Sequence, residues 1–244
     1  GQMRLRSQGS DLLSGVWQLS VRRNGRPARV ASEWEEVLWV SDEGVDCLEV
    51  SAQFSDGIRV ERQMLLAAEG FLVVADVVVA QRPGALDYRT CLPLAPGVRF
   101  EGAAESHEGI LWDRRRRAMV LPLALPEWRA DPRPGSPVQT ERGLQLCQSS
   151  KGRGLWAVLF VDLLPRRFRW PFTWRQLAVA ENFATQPPDV AAGFRVLVGR
   201  QQWLLYRSLA AKANRTLLGH NLSGEMLLAR FDRDGEVHSL LEIE

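Results

Sequence analysis

Apolar and polar residues alternate with a period of two through most of this chain, the signature of half-buried strands. From Asp46 to Phe54, Leu48, Val50, Ala52 and Phe54 share one face and Glu49, Ser51 and Gln53 the other. Ser55-Asp56-Gly57 then supplies a turn. Ile58 to Leu66 follows, with Ile58, Val60, Arg62, Met64 and Leu66 opposed to Arg59, Glu61, Gln63 and Leu65. The two runs predict a hairpin. Phe71 to Val79 is a continuous apolar, β-branched run interrupted by Asp76, as expected of a strand covered on both faces. Further strands are predicted over Leu86 to Leu94, Met119 to Leu125, Leu144 to Gln148, Leu155 to Leu163, Phe194 to Val198 and Trp203 to Tyr206.

Gly and Pro punctuate these runs at Arg82-Pro83-Gly84, Ala95-Pro96-Gly97, Asp131-Pro132-Arg133-Pro134-Gly135 and Pro187-Pro188. Met226 to Phe231 and Glu236 to Ile243, joined by Asp232-Arg233-Asp234-Gly235, form a second hairpin. The segment Thr173 to Phe183 is ambiguous: Thr173 and Gln176 fit a helix capping box, whereas Leu177, Val179, Glu181 and Phe183 alternate. The strand reading is preferred. Without helical crossovers a parallel α/β sheet is excluded. No fixed-period repeat suggests a propeller or solenoid. The expectation is an all-β chain of about twelve to sixteen strands with little helix. They would build one large antiparallel multi-sheet β-sandwich over residues 1–244, of the supersandwich kind.

Composition adds few constraints. A chain of 244 residues with 45% hydrophobic and 25% charged residues can bury a core without staples. The formal charge of +2 gives no electrostatic reason to expect nucleic acid. No apolar run is long enough to span a membrane as a helix. The N-terminal Gly1-Gln2-Met3-Arg4 lacks the apolar stretch of a signal peptide, and a leading Gly fits a tag scar on a piece of a longer chain. Nearly every basic residue is arginine; only Lys151 and Lys212 are lysine. Arginine recognises carboxylate and sulfate with a planar fork, although a GC-rich coding sequence gives the same bias. Cys47, Cys91 and Cys147 show no metal-ligand spacing and lie in strand-like runs, which predicts buried thiols and leaves one disulfide possible.

Candidate chemistry is sparse. No nucleophile elbow, phosphate loop or dinucleotide fingerprint is present. The carboxylates Glu33, Glu35, Glu36, Asp42 and Glu43 lie on polar faces and in turns, so no glycosidase pair stands out. His107, in Glu105-Ser106-His107-Glu108, reads as a solvated loop histidine, and His238 as a sheet-face residue. His220 and Asn221 sit in a small, polar loop able to contact a ligand. Of nine tryptophans, Trp156 and Trp203 belong to apolar strands and read as core. Trp170 and Trp174 lie instead in Arg166-Arg167-Phe168-Arg169-Trp170-Pro171-Phe172-Thr173-Trp174-Arg175. Rings there can stack on sugar faces while Arg169 and Arg175 hold uronate or sulfate. The competing reading tucks the rings against the sandwich edge. Arg114 to Arg117 read as an exposed turn. The candidate glycan-binding residues are therefore Trp170, Trp174, Arg169, Arg175, His220 and Asn221. No catalytic residue, metal ligand or cofactor is assigned.

The order Ile58-Arg59-Val60-Glu61-Arg62-Gln63-Met64-Leu65-Leu66, then Gly70-Phe71-Leu72-Val73-Val74-Ala75-Asp76-Val77-Val78, resembles the β-domain of heparinase II/III-like polysaccharide lyases. The later strands, including Gly193 to Tyr206, are similar too, and the resemblance spans roughly residues 30 to 244. It implies a layered antiparallel sandwich that follows a helical domain of the same parent chain. It also implies a parent acting on acidic polysaccharide by β-elimination, in the periplasm or outside the cell. Family members carry catalytic tyrosine, histidine and asparagine largely on the helical domain. The histidine-rich stretch that opens their β-domain has no counterpart, since no histidine precedes His107. The residues that carry the resemblance are Arg59, Arg62 and Asp76, with Asp76 equally readable as a hydrogen-bonding group within the sheet. The implied role is a non-catalytic module that supports a lyase and contacts acidic glycan. A structural or protein-interaction sandwich and a stand-alone enzyme are the alternatives.

Overall fold

The computed structural model describes residues 2–42, 44–131, 135–232 and 234–244. Pro132, Arg133 and Pro134 of one expected turn, Arg233 of the last hairpin turn, Glu43 and Gly1 lie outside the described residues. Among the described residues there is no α-helix, and the helical elements are two 3-10 turns, Ser55–Gly57 and Pro165–Arg167.

The strands, in chain order, are β1 (Gln2–Ser7), β2 (Ser10–Val16), β3 (Gln18–Arg23), β4 (Arg26–Pro27), β5 (Glu35–Ser41), β6 (Val45–Phe54), β7 (Ile58–Ala67) and β8 (Phe71–Leu92). Then come β9 (Arg99–Gly102), β10 (Gly109–Trp112), β11 (Arg116–Pro122), β12 (Gly135–Thr140), β13 (Gly143–Asp162), β14 (Phe172–Leu177), β15 (Val179–Glu181) and β16 (Ala184–Thr185). The last are β17 (Ala191–Val198), β18 (Gln201–Ser208), β19 (Arg215–Leu217), β20 (His220–Leu222), β21 (Met226–Phe231) and β22 (Val237–Ile243). Both expected hairpins form, β6–β7 with Phe54 opposite Ile58 and β21–β22 with Phe231 opposite Val237. Thr173 to Leu177 and Val179 to Glu181 are extended, so the capping-box reading fails and the strand reading holds as far as Glu181; Asn182 and Phe183 form a turn with φ of 50° and 63°, and Phe183 is fully exposed.

Two long strands organise everything else. The sequence reads Phe71–Val79 and Leu86–Leu94 as separate strands; in the structure β8 stays extended through Arg82-Pro83-Gly84 and pairs with β13 on either side of it, with Ala80 to Pro83 left out of that ladder. The ladder slips between Gly152 and Gly154 of β13. At that corner the ribbon folds back on itself. Tyr88 donates a 2.5 Å hydrogen bond to Asp76 Oδ2, although twelve residues of straight strand would separate them by about 40 Å. The first half of β8 and the second half of β13 are continued by β7-β6-β5 on one side and β11-β10-β9 on the other. The remaining halves are flanked by β3 and β12 and form an outer layer lying over that large sheet.

Between these two layers lies a first core that includes Trp17, Phe54, Ile58, Val78, Tyr88, Leu144 and Leu159. The other face of the large sheet packs on a third layer, β14-β17-β18-β21-β22, through Phe71, Trp156, Phe160, Trp174, Phe194 and Trp203. Phe71, Phe160 and Trp203 meet ring to ring, with centroids 4.6–5.4 Å apart. A small fourth sheet, β16-β15-β19-β20, covers part of the third through Val179, Tyr206, Leu217, Leu222 and Leu227. The result is an all-β, four-layered antiparallel sandwich.

Buried ion pairs brace the large sheet and join it to the layers on either side. Arg62 of β7 makes a bidentate bond to Asp76 of β8, Nε to Oδ1 at 2.8 Å and Nη2 to Oδ2 at 3.1 Å. Its Nη1 donates to the Trp17 carbonyl at 2.8 Å while the guanidinium lies 3.8 Å from the Trp17 ring. Asp76 is thus the sheet-buried hydrogen-bonding group that its place in an apolar run suggests. Across the second core Arg207 meets Glu49, Glu61 and Glu225 at 3.1, 2.6 and 3.0 Å. Burial outweighs the attraction of Arg207 and raises the Glu49 carboxyl above the usual range. Asp162 is likewise raised by burial, with Arg167 beside it at 3.7 Å.

Candidate functional site

The structure divides the residues that the sequence singles out. Trp174 is 2% exposed, packs into the second core, and donates its indole N–H to the Leu125 carbonyl at 2.9 Å. It is a core residue and cannot stack on a sugar, because β14 alternation turns it inward opposite Val196. Trp170 stays 38% exposed. Its ring lies over Gly199, which takes a positive φ of 61° and where a Cβ would come within 2.8 Å of the ring. Arg169 and Arg175 are exposed. His220 and Asn221 are not in a loop: they begin β20, at the edge of the fourth sheet, paired with Leu217 and Thr216. They thus belong to a different layer from Arg175.

Two other readings need correction. His107 is 4% exposed rather than solvated: its Nδ1 lies 2.7 Å from the Pro126 carbonyl, and its backbone N–H donates to the Glu127 carbonyl. In the arginine run, Arg114, Arg115 and Arg116 are exposed, but Arg117 is buried against Asp113 and the Ser7 carbonyl. His238 is an exposed sheet residue 3.0 Å from Asp232. The three cysteines are free; burial pushes the Cys47 thiol up to about 11.

Two clefts lie against the Arg166–Arg175 segment. The larger, about 530 Å3, has Phe168 and Phe172 from that segment on one side and Trp112, Arg116, Glu101 and Glu108 on the other. Trp112 Nε1 and Glu108 Oε2 are buried there with no partner, while Glu108 Oε1 accepts from Ser106 Oγ at 2.8 Å. The Arg99 guanidinium sits 4.5 Å from the Trp112 ring. A donor and an acceptor left open beside aromatic rings suit a polyhydroxylated ligand, whose hydroxyls both give and accept hydrogen bonds. The smaller cleft, about 350 Å3, is lined by Glu127, Trp128, Thr173, Arg175 and Gln176, with Trp174 as its floor. Trp128 is 58% exposed, and the Thr173 hydroxyl donates to Glu127. Sequence reasoning missed Trp112 and Trp128. The available signal was a ring held in a polar, proline-flanked turn, Pro126-Glu127-Trp128-Arg129-Ala130-Asp131-Pro132, instead of an apolar run.

No group of three or more His, Cys, Asp and Glu side chains converges as a metal site among the described residues. The two carboxyls that burial raises, Glu49 and Asp162, line neither cleft.

Neither a protein-family model nor a curated protein matches the sequence. Solved structures do match the fold. A heparinase III, the BT4657 gene product, superposes with a TM-score of 0.50 at 10% identity, over 78% of this chain and 30% of that one. A heparan sulfate lyase, HepC from Pedobacter heparinus, gives 0.47 at 12% identity over 79% and 30%. The chain therefore spans less than a third of the length of the proteins it matches. At this identity the likeness is one of architecture: this chain has a β-sandwich fold of the kind found within heparinase III.

Proposed function

We propose that this chain is the β-sandwich domain of a heparinase II/III-like polysaccharide lyase, and that it supports a catalytic domain outside these residues while contacting acidic glycan. The observation that carries the proposal is the fold match to heparinase III, which takes in 78% of this chain but 30% of that protein. Two features support the division of labour. The clefts beside the Arg166–Arg175 segment are lined by Trp128, Arg116 and Arg175, and the segment itself exposes Trp170 and Arg169. Sugar faces stack on such rings, and uronate or sulfate fits such forks. In addition, the large sheet carries an apolar row that the outer layer leaves open: Trp39 of β5, 63% exposed, then Leu48 of β6, with Leu66 of β7 40% exposed beside them. Apolar surface of this kind suits a neighbouring domain.

Titration of the protein with a sulfated uronate polysaccharide tests the glycan role. Saturable, salt-sensitive binding is expected, weakened in Trp128→Ala and Trp170→Ala by about 0.5–1.5 kcal/mol each, roughly three- to ten-fold. Equal binding by wild type and both variants would remove the Trp128 cleft and the exposed Trp170 ring from the account.

A further inference from the structure

On the face of the third sheet turned away from the second core, Arg175 of β14 stands directly opposite Arg195 of β17 in the antiparallel ladder. Side chains paired in this way have Cβ atoms about 5 Å apart, and like charges there repel. Their ladder neighbours Trp174 and Val196 point into the core, so both guanidinium groups project from the outer face. Among the described residues neither has an ion-pair or hydrogen-bond partner, and Arg195 Nε is buried without one. The buried arginines Arg62, Arg207 and Arg215 do have such partners: Asp76, three glutamates and Glu181 in turn. Thr173↔Leu197↔Gln202 is the next row of the same face, about 7 Å away, and Gln202 Oε1 is also buried without a partner. Glu127 and Asp131 border the cleft beside Arg175, and the Glu127 carboxylate accepts from the Thr173 hydroxyl.

Two guanidinium forks side by side, neither held in an ion pair, match an oxyanion. An unfilled acceptor one row away matches a hydroxyl donor on the same molecule. We infer that the Arg175–Arg195 pair binds the sulfate or carboxylate group of an acidic sugar, with Gln202 Oε1 accepting one of its hydroxyls. This rests on the glycan reading and narrows it to a named pair, one member of which, Arg195, lies outside the Arg166–Arg175 segment.

The test titrates inorganic sulfate, a sulfated monosaccharide and an unsulfated uronic acid separately into wild type, Arg175→Gln, Arg195→Gln and Gln202→Leu, at matched ionic strength. Wild type should bind inorganic sulfate and at least one of the sugars. Each arginine variant should bind about ten-fold or more weakly. Gln202→Leu should weaken the sugars and leave inorganic sulfate unchanged. The sulfated and unsulfated arms decide which oxyanion is preferred. Unchanged sugar affinity in both arginine variants, with circular dichroism confirming their fold, overturns the assignment. If the acidic polysaccharide still binds those variants, the glycan reading survives through the flanking clefts. If no acidic sugar or polysaccharide binds wild type, both readings fall.

Discussion

Replacing Asp76 by Asn tests how the bent ribbon is held. Asp76 is 0% exposed and accepts from Arg62 twice and from Tyr88 once. The amide keeps the volume but removes the charge, and its single oxygen cannot serve all three donors. Arg62, 6% exposed, is left as a buried cation without a counter-ion. Breaking one side of such a pair costs about 3–5 kcal/mol. At about 2.1 cal/mol/K per residue, 244 residues unfold with an entropy near 0.5 kcal/mol/K, so each kcal/mol lowers Tm by about 2 °C. Asp76→Asn should therefore melt about 6–10 °C below wild type by calorimetry. Its urea midpoint, followed by tryptophan fluorescence, should fall with an unchanged m value. The triple variant Arg62→Met, Asp76→Leu, Tyr88→Phe should recover most of the loss, because apolar replacement of a buried pair is close to neutral. It forfeits about 1 kcal/mol where the Trp17 carbonyl loses its donor. Stability of Asp76→Asn within about 1 kcal/mol of wild type would refute the idea that the Arg62–Asp76 pair, through Tyr88 and the Trp17 carbonyl, holds the outer layer to the large sheet.

Two further predictions concern buried groups. Burial holds the Glu49 carboxyl above its unfolded value, so the folded state binds this proton more tightly and ionised Glu49 weakens the fold at neutral pH. As pH falls from neutrality through the raised folded value toward the unfolded one, wild type should gain stability relative to Glu49→Gln. Urea midpoints of the two proteins measured from pH 7 to 5 check this, and a constant difference contradicts it. Native Cys47, buried and pushed up to about 11, should resist a thiol reagent at pH 8, whereas half-buried Cys147 should react first. Peptide mapping after brief labelling identifies the modified thiol, and early modification of Cys47 would show that the second core opens.

Much of the strand content was legible because local alternation separates the two faces of a strand. β6 and β7 pair as it predicts, and the turn between them carries Asp56 and Gly57, both at φ 66°, but their polar face is not wet: Glu49, Glu61 and Gln63 are buried beneath the third layer. What alternation does not record is what covers a face. In β17 and β18 nearly every position is buried, because a second core lies on one side and the fourth sheet on the other. Arg82-Pro83-Gly84 reads as a turn between strands, yet the chain stays extended there and the ladder with β13 resumes at Gly84, and the fold-back shows in the long-range bond from Tyr88 to Asp76. His107 misleads for a related reason: its sequence neighbours are polar, while its environment is made by Pro126 and Glu127, nearly twenty residues away. At the candidate site, the Arg166–Arg175 segment was identifiable from rings interleaved with arginines. Arg195 was not, because its link to Arg175 exists only in the β14–β17 register.

Size-exclusion chromatography with light scattering, applied to the isolated chain mixed with a sulfated uronate polysaccharide, tests the central claim most directly. A glycan-gripping domain whose elimination chemistry resides elsewhere should co-elute with the polymer and leave the polymer mass unchanged. Elution of the protein apart from the polymer, or a progressive shortening of the polymer by this chain alone, would contradict it.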